Sequence, residues 1–142
     1  MAKRPHEPAT YFLDRCLDND AIFEALVVAG ADVERHRCHF AHDCPDEAWL
    51  RAVGARGWAV LTRDRKIRSH VAEIQAWHQA KVAVFDLTGK IGLFELATRI
   101  ASFLPKMGRI IGNYSRPLWA TVSASGAITV VKGERSGGIK RY

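Results

Sequence analysis

No stretch of this chain approaches the roughly 18 consecutive apolar residues that a membrane span requires. Its start, MAKRPHEPATYFLD, carries charge but no apolar segment of the secretory kind. Together these absences make a cytoplasmic protein with no membrane partner the expectation. Cysteine is sparse: Cys16, Cys38 and Cys44 form an odd set, which argues for reduced thiols and against a disulfide framework. Phosphate-cradling glycines are missing as well. DRCLDND stands where G-x-G-x-x-G would follow a first strand, and no G-x-x-x-x-G-K-(S/T) occurs, so dinucleotide and nucleoside triphosphate binding are disfavoured. Cys16 occupies the second acid position of an aspartyl-phosphatase D-x-D, and no adjacent acid pair ends the first strand as a phospho-acceptor receiver would need.

Negative charge is also in deficit. Lys and Arg number 21 against 15 Asp and Glu, a formal +6, which favours a polyanionic partner. The length of 142 residues suits one domain with a single core. We place that domain at 1–131 and a basic, Gly-rich tail, expected to be mobile, at 132–142.

Strand-like and helix-like segments alternate along the chain. TYFLDR is a short strand ending on Asp14. NDAIFEALVVAGA puts Ile22, Phe23, Leu26 and Val27 on one helical face, with Asn19 or Asp20 as cap and Gly30 as stop. DVERHR reads as a strand and CHFAHDC as a loop. PDEAWLRAVGARG opens on Pro45 and two acids and reads as a helix. WAVLTRD is the third strand, IRSHVAEIQAWHQA a helix, and KVAVFDL a strand buried on both faces. GLFELATRIASFLPKMGRIIGNY is a long amphipathic stretch that Pro105 and Gly108 should break. PLWATVSASGAITVV reads as a hairpin. Four strands with intervening helices predict parallel crossovers, hence an α/β fold with a mainly parallel sheet and a C-terminal β-hairpin as flap or edge.

Ligands of open parallel sheets bind beyond the carboxyl ends of the strands. Asp14 ends strand one and Asp64 ends strand three, while Asp46 and Glu47 open the helix that leads into strand three. If the CHFAHDC loop stays on that side, these carboxylates meet in one cleft. Carboxylates that close repel unless a cation lies between them, and a hard divalent ion, Mg²⁺ or Mn²⁺, is the economical one. Such an ion activates water and stabilises charge on a phosphoryl oxygen. Arg15, Arg63, Arg65, Lys66 and Arg68 crowd the same two strand ends and would hold the phosphates of RNA. Taken singly, Asp46 and Glu47 also fit a helix-dipole role and Asp64 a cap.

Three of these segments in order, FLDRCL, CPDEAWLRAVGARG and WAVLTRDRKIR, resemble the PIN-like nucleases, closest to the small PIN-like proteins of the VapC toxin superfamily. The shared pattern is an Asp after strand one, an (S/T/P)-D-E-x-(W/I)-L helix start and a V-L-T-(R/K)-D strand end. The likeness runs over roughly residues 11–87 and more loosely through the hairpin. It implies a Rossmann-like three-layer sandwich and an Mg²⁺- or Mn²⁺-dependent endoribonuclease, often the toxin partnered by an antitoxin. Carried over by position, Asp14, Asp46 and Asp64 would be the metal ligands, Thr62 would orient Asp64 or a metal-bound water, and Glu47 would be an alternative ligand. Glu24, Glu34 and Asp86 are the candidates for a further acid, since Lys66 stands where many relatives carry one. RNA, an antitoxin and a second copy of the chain are the partners to consider. A non-catalytic nucleic-acid or protein-binding module on the same fold is the alternative.

Two other signals are weaker. HRCHFAHDC offers His36, Cys38, His39, His42 and Cys44, but at spacings unlike the usual zinc frames. His36 and His39 are expected at the cleft mouth or on the loop. Trp49, Trp58 and Trp77 fall at apolar-periodic positions and are expected in the core rather than as base-stacking platforms.

Overall fold

The computed structural model describes residues 9–136. Residues 1–8 and 137–142, with most of the basic tail, lie outside them. Six strands, β1 (Thr10–Leu13), β2 (Asp32–Arg35), β3 (Ala59–Thr62), β4 (Ala83–Leu87), β5 (Tyr114–Val122) and β6 (Ile128–Arg135), form one sheet in the order β2-β1-β3-β4-β5-β6. All neighbours are parallel except β5 and β6. The hairpin is therefore a sheet edge. Its second strand runs to Arg135, across the domain boundary drawn from sequence at 131/132, because β5 continues to offer it backbone partners back to Tyr114.

Helices α1 (Asp20–Val28), α2 (His36–His39), α3 (Asp46–Ala55), α4 (Val71–Gln79), α5 (Leu93–Arg99) and α6 (Leu104–Asn113) cover the two faces. The period-2 alternation of the strands builds both cores at once. Tyr11, Leu13, Leu61 and Phe85 pack with Leu26, Leu96 and Met107 on one face. Phe12, Val60 and Val84 pack with Trp49, Leu50 and Ala76 on the other. The result is a three-layer α/β sandwich. Among the described residues, no helix is long and apolar enough to cross a membrane.

Local chemistry sets most boundaries. The Asn19 side chain accepts from the Ile22 N–H at 2.9 Å and caps α1, and Gly30 beyond its end takes the left-handed φ of +92°. A Cβ on Gly54 would lie 2.6 Å from Ala80, so α3 can approach the end of α4 only with glycine there. Two expectations shift. The single turn α2 takes His36 and Arg37 from the segment read as a strand and Cys38 and His39 from the one read as a loop. The long amphipathic stretch breaks at a 3-10 turn, Ile100–Phe103, rather than at Pro105 and Gly108. Pro105 sits in the first turn of α6, where its missing N–H has no helical partner to lose, and Gly108 stays within the helix.

Candidate active site

Asp14 leaves the end of β1 still paired to the sheet, its N–H donating to the Leu61 carbonyl at 3.1 Å. Its side chain caps the 3-10 turn Arg15–Leu17 by accepting from the Arg15 N–H at 2.6 Å. On the neighbouring strand the Thr62 hydroxyl donates to the second Asp14 oxygen at 2.7 Å. The same hydroxyl oxygen accepts from the Asp64 N–H at 2.9 Å. One side chain thus aims the first acid and shapes the turn that carries the second. Asp14, Arg15, Cys16, His42 and Asp64 line one open cleft of about 280 Å³.

Asp46 approaches from the start of α3, so the CHFAHDC segment does stay on this edge. Its carboxylate, however, is already engaged: Oδ1 accepts from the Arg15 guanidinium at 2.8 Å and from the Trp49 indole at 2.9 Å. Arg15 also donates to the His42 carbonyl, bridging the two sides of the cleft. Glu47, one residue on, is exposed. Among the described residues, no three His, Cys, Asp or Glu side chains stand close enough together to make a ready metal cage. The three aspartates gather on one rim, with Arg15 interposed before Asp46.

The Asp14 carboxyl, only 2% exposed, is pushed up to about 6. Burial is the main cause; the Thr62 and Arg15 hydrogen bonds oppose it, and the charges of Asp46 and Asp64 add to it. The Cys16 thiol is held at about 11, first by loss of solvent around the sulfur and then by Asp14, with Sγ 3.8 Å from that carboxylate. Hard oxygen donors under mutual repulsion are the donor set that suits a divalent cation, so the residues fit Mg²⁺ or Mn²⁺ in kind. Thr62 also faces Asp86 in register on β4, and Asp86 is 2% exposed. A second buried acid thus shares this strand-end row.

The cations divide their work. Arg63 turns inward and donates to the carbonyls of Leu87, Gly89 and Ile91 at 3.2, 2.8 and 2.7 Å. It clamps the loop after β4. Arg68 lies with its guanidinium 5.6 Å from the centre of the Trp119 ring. The side chains of Arg65 and Lys66 fall outside what is described. Asp18 is held below the usual carboxylate range, since bonds from Arg35 and Arg37 outweigh its burial. It helps line a second cleft of about 500 Å³ that shares Arg15 and His42 with the first.

The other signals resolve as structure. His36 is 1% exposed, wedged among Phe12, Phe40 and Trp49, with burial holding its pKa below the ordinary histidine value. His39 pairs with Glu34 at 2.6 Å, which ties up one candidate for a further acid, while Glu24 is exposed on α1. Trp49 is fully buried, but Trp58 and Trp77 are only half-buried.

A family model described as "PIN like domain" matches residues 9–89. No curated protein and no solved structure matches the chain.

Proposed function

The chain belongs to the PIN-like domain family, and from that premise we propose that it is a divalent-metal-dependent endoribonuclease acting at the cleft shared by Asp14 and Asp64. The observation that carries this reading is Asp14 itself, a buried carboxyl raised by its surroundings and by Asp46 and Asp64, at the wall of an open cleft. A bound cation would relieve that repulsion. Asp14 and Asp64 would hold Mg²⁺ or Mn²⁺, and Asp46 would join them when Arg15 swings aside, with exposed Glu47 as the alternative acid. The ion, when bound, lowers the pKa of a water and stabilises charge on a phosphoryl oxygen.

This chain's own residues do the rest. The Thr62 hydroxyl keeps the Asp14 carboxylate pointed at the cleft and holds the Asp64 turn. Arg15, at the junction of two clefts, meets the scissile phosphate or its neighbour once it releases Asp46. Arg68, and by sequence Arg65 and Lys66 in the same turn, take flanking phosphates.

The direct test is cleavage of total RNA with Mn²⁺, against a chelator control. Wild type should cleave. Asp64→Asn should stay folded and RNA-bound but lose at least about a hundredfold in rate. No metal-dependent cleavage by wild type, or equal cleavage by the variant, ends the nuclease reading.

The Arg15–Asp46–Trp49 contact favours a second reading, a binding module in which Asp46 serves the fold and no metal binds. Metal titration by calorimetry of wild type and Asp64→Asn separates the two. A toxin role rests on the sequence likeness. It predicts that the product of a neighbouring reading frame suppresses cleavage when co-expressed.

A further inference from the structure

We propose that the cavity behind the 3-10 turn Arg65–Arg68 is a nucleobase pocket that takes one unstacked base of single-stranded RNA beside the candidate cleft. This rests on the nucleic-acid-binding part of the reading above and not on cleavage. The cavity, of about 220 Å³, is lined by Ile67, Arg68, Ile74, Trp77, Trp119 and Lys132. That is below the roughly 300–1,000 Å³ of sites that enclose drug-sized ligands, and it suits one flat ring system rather than a whole nucleotide.

The two indoles differ in a telling way. Trp77 donates its N–H to the Leu118 carbonyl at 3.1 Å. Trp119 is 2% exposed, and its indole N–H has no acceptor among the described residues. A buried donor left unpaired is costly, and such a group in a native fold calls for an explanation. A carbonyl oxygen or ring nitrogen on a base edge supplies the missing acceptor once the exposed Arg68 side chain, which lies over the Trp119 ring, moves aside. The rings meet edge to face at 75°, 6.4 Å between centroids, so the half-buried Trp77 is the aromatic surface open to a planar guest and the buried Trp119 is the pocket wall behind it. Nucleic-acid proteins that bind single strands use such surfaces because every base has a π-face.

Charge points the same way. Arg68 and Lys132 are both exposed at the pocket, and no acid lines it. Lys132 stands opposite Trp119 across the β5–β6 pairing. Two cations around an aromatic slot match a base flanked by phosphates, whereas an apolar peptide side chain would leave both cations and the indole N–H unused. The chain links pocket and cleft closely, since the turn that carries Ile67 and Arg68 starts directly after Asp64. Trp119 and Lys132 lie beyond residues 9–89, so the family match reaches only the Ile67, Arg68, Ile74 and Trp77 side of the pocket.

The test is anisotropy binding of labelled homotetramers of A, C, G and U in chelator, where cleavage cannot occur. Wild type should prefer one base by at least about fivefold, and Asp64→Asn should keep that preference, so failure of the nuclease reading leaves this result standing. Trp119→Phe should lose the preference. Lys132→Ala should weaken all four alike and lower the salt slope by about 0.7. Equal binding of the four tetramers, or a preference that survives in Trp119→Phe, overturns the proposal. A measurement on wild type covers the case in which that variant unfolds. The Trp119 indole N–H resonance should shift when the preferred tetramer saturates the protein, and an unmoved resonance overturns the proposal equally.

Discussion

Thr62 and Asp14 meet across the β1–β3 pairing, hydroxyl to carboxylate at 2.7 Å, although 48 residues separate them in the chain. Both are buried, at 0% and 2% exposure. The contact satisfies a charge that burial would otherwise leave poorly solvated, and it does so with a hydroxyl whose oxygen also accepts from the Asp64 N–H. One side chain thus holds the Asp14 carboxylate and the backbone of the Asp64 turn.

Replacing Thr62 should therefore separate shape from chemistry. Thr62→Val keeps the volume but removes a donor and an acceptor, and should cost about 1–3 kcal/mol of stability. Thr62→Ser should restore most of it. RNA cleavage should follow the same order, Ser well above Val. Urea denaturation with parallel rate measurements checks this, and a Val variant as stable and active as wild type would deny Thr62 its role.

Asp14 makes the metal-free protein pH-sensitive, and the sign follows from the direction of its shift. Its folded-state pKa of about 6 lies above the ordinary 3.8, so the folded chain binds the proton more tightly than the unfolded one. This contribution falls as pH rises from about 4 through about 6, and the ionised carboxylate then costs up to about 3 kcal/mol. In chelator, Asp14→Asn should be about 1–2 kcal/mol more stable than wild type at pH 8, after allowance for weakened hydrogen bonds. At pH 4 that advantage should vanish. A difference between the two chains that stays constant from pH 4 to 8 would contradict the assignment.

Arg63 is expected to act on folding and not on RNA. Arg63→Ala breaks three bonds to the loop after β4 and should cost about 2–3 kcal/mol. The salt slope of RNA binding should stay unchanged, while Arg68→Ala should lower it by about 0.7. A drop in slope for Arg63→Ala would return that residue to the phosphate path.

Arg15 holds Asp46 as a built-in counter-ion. Arg15→Gln should release the carboxylate and tighten Mn²⁺ binding by at least about fivefold, the scale of one nearby charge in a solvated cleft. Calorimetry without RNA isolates the effect. Unchanged or weaker Mn²⁺ binding would mean that Asp46 belongs to the fold.

Much of this was legible along the chain because it depends on near neighbours. Near-continuous apolar runs in AVLT and AVFDL mark strands with two covered faces, and helices between them force parallel crossovers. That places Asp14 and Asp64 at carboxyl ends, and it places Asp46 at the same edge once its loop stays there. The sequence by itself determined the sandwich, the acid-bearing edge and the surplus of positive charge. Only the tertiary structure decided partners. Arg15 reaches Asp46 across 31 residues, Arg63 finds carbonyls on another loop, His36 disappears among three aromatic rings, and β6 extends past the expected boundary to pair with β5. Trp119 meets Trp77 and Arg68 only because β5 comes to lie beside β4, next to α4. Periodicity records which face a residue takes, since that repeats every two or three to four positions. It carries no record of which distant donor or acceptor waits on that face, and in this protein those distant pairings set the charge and access of the site.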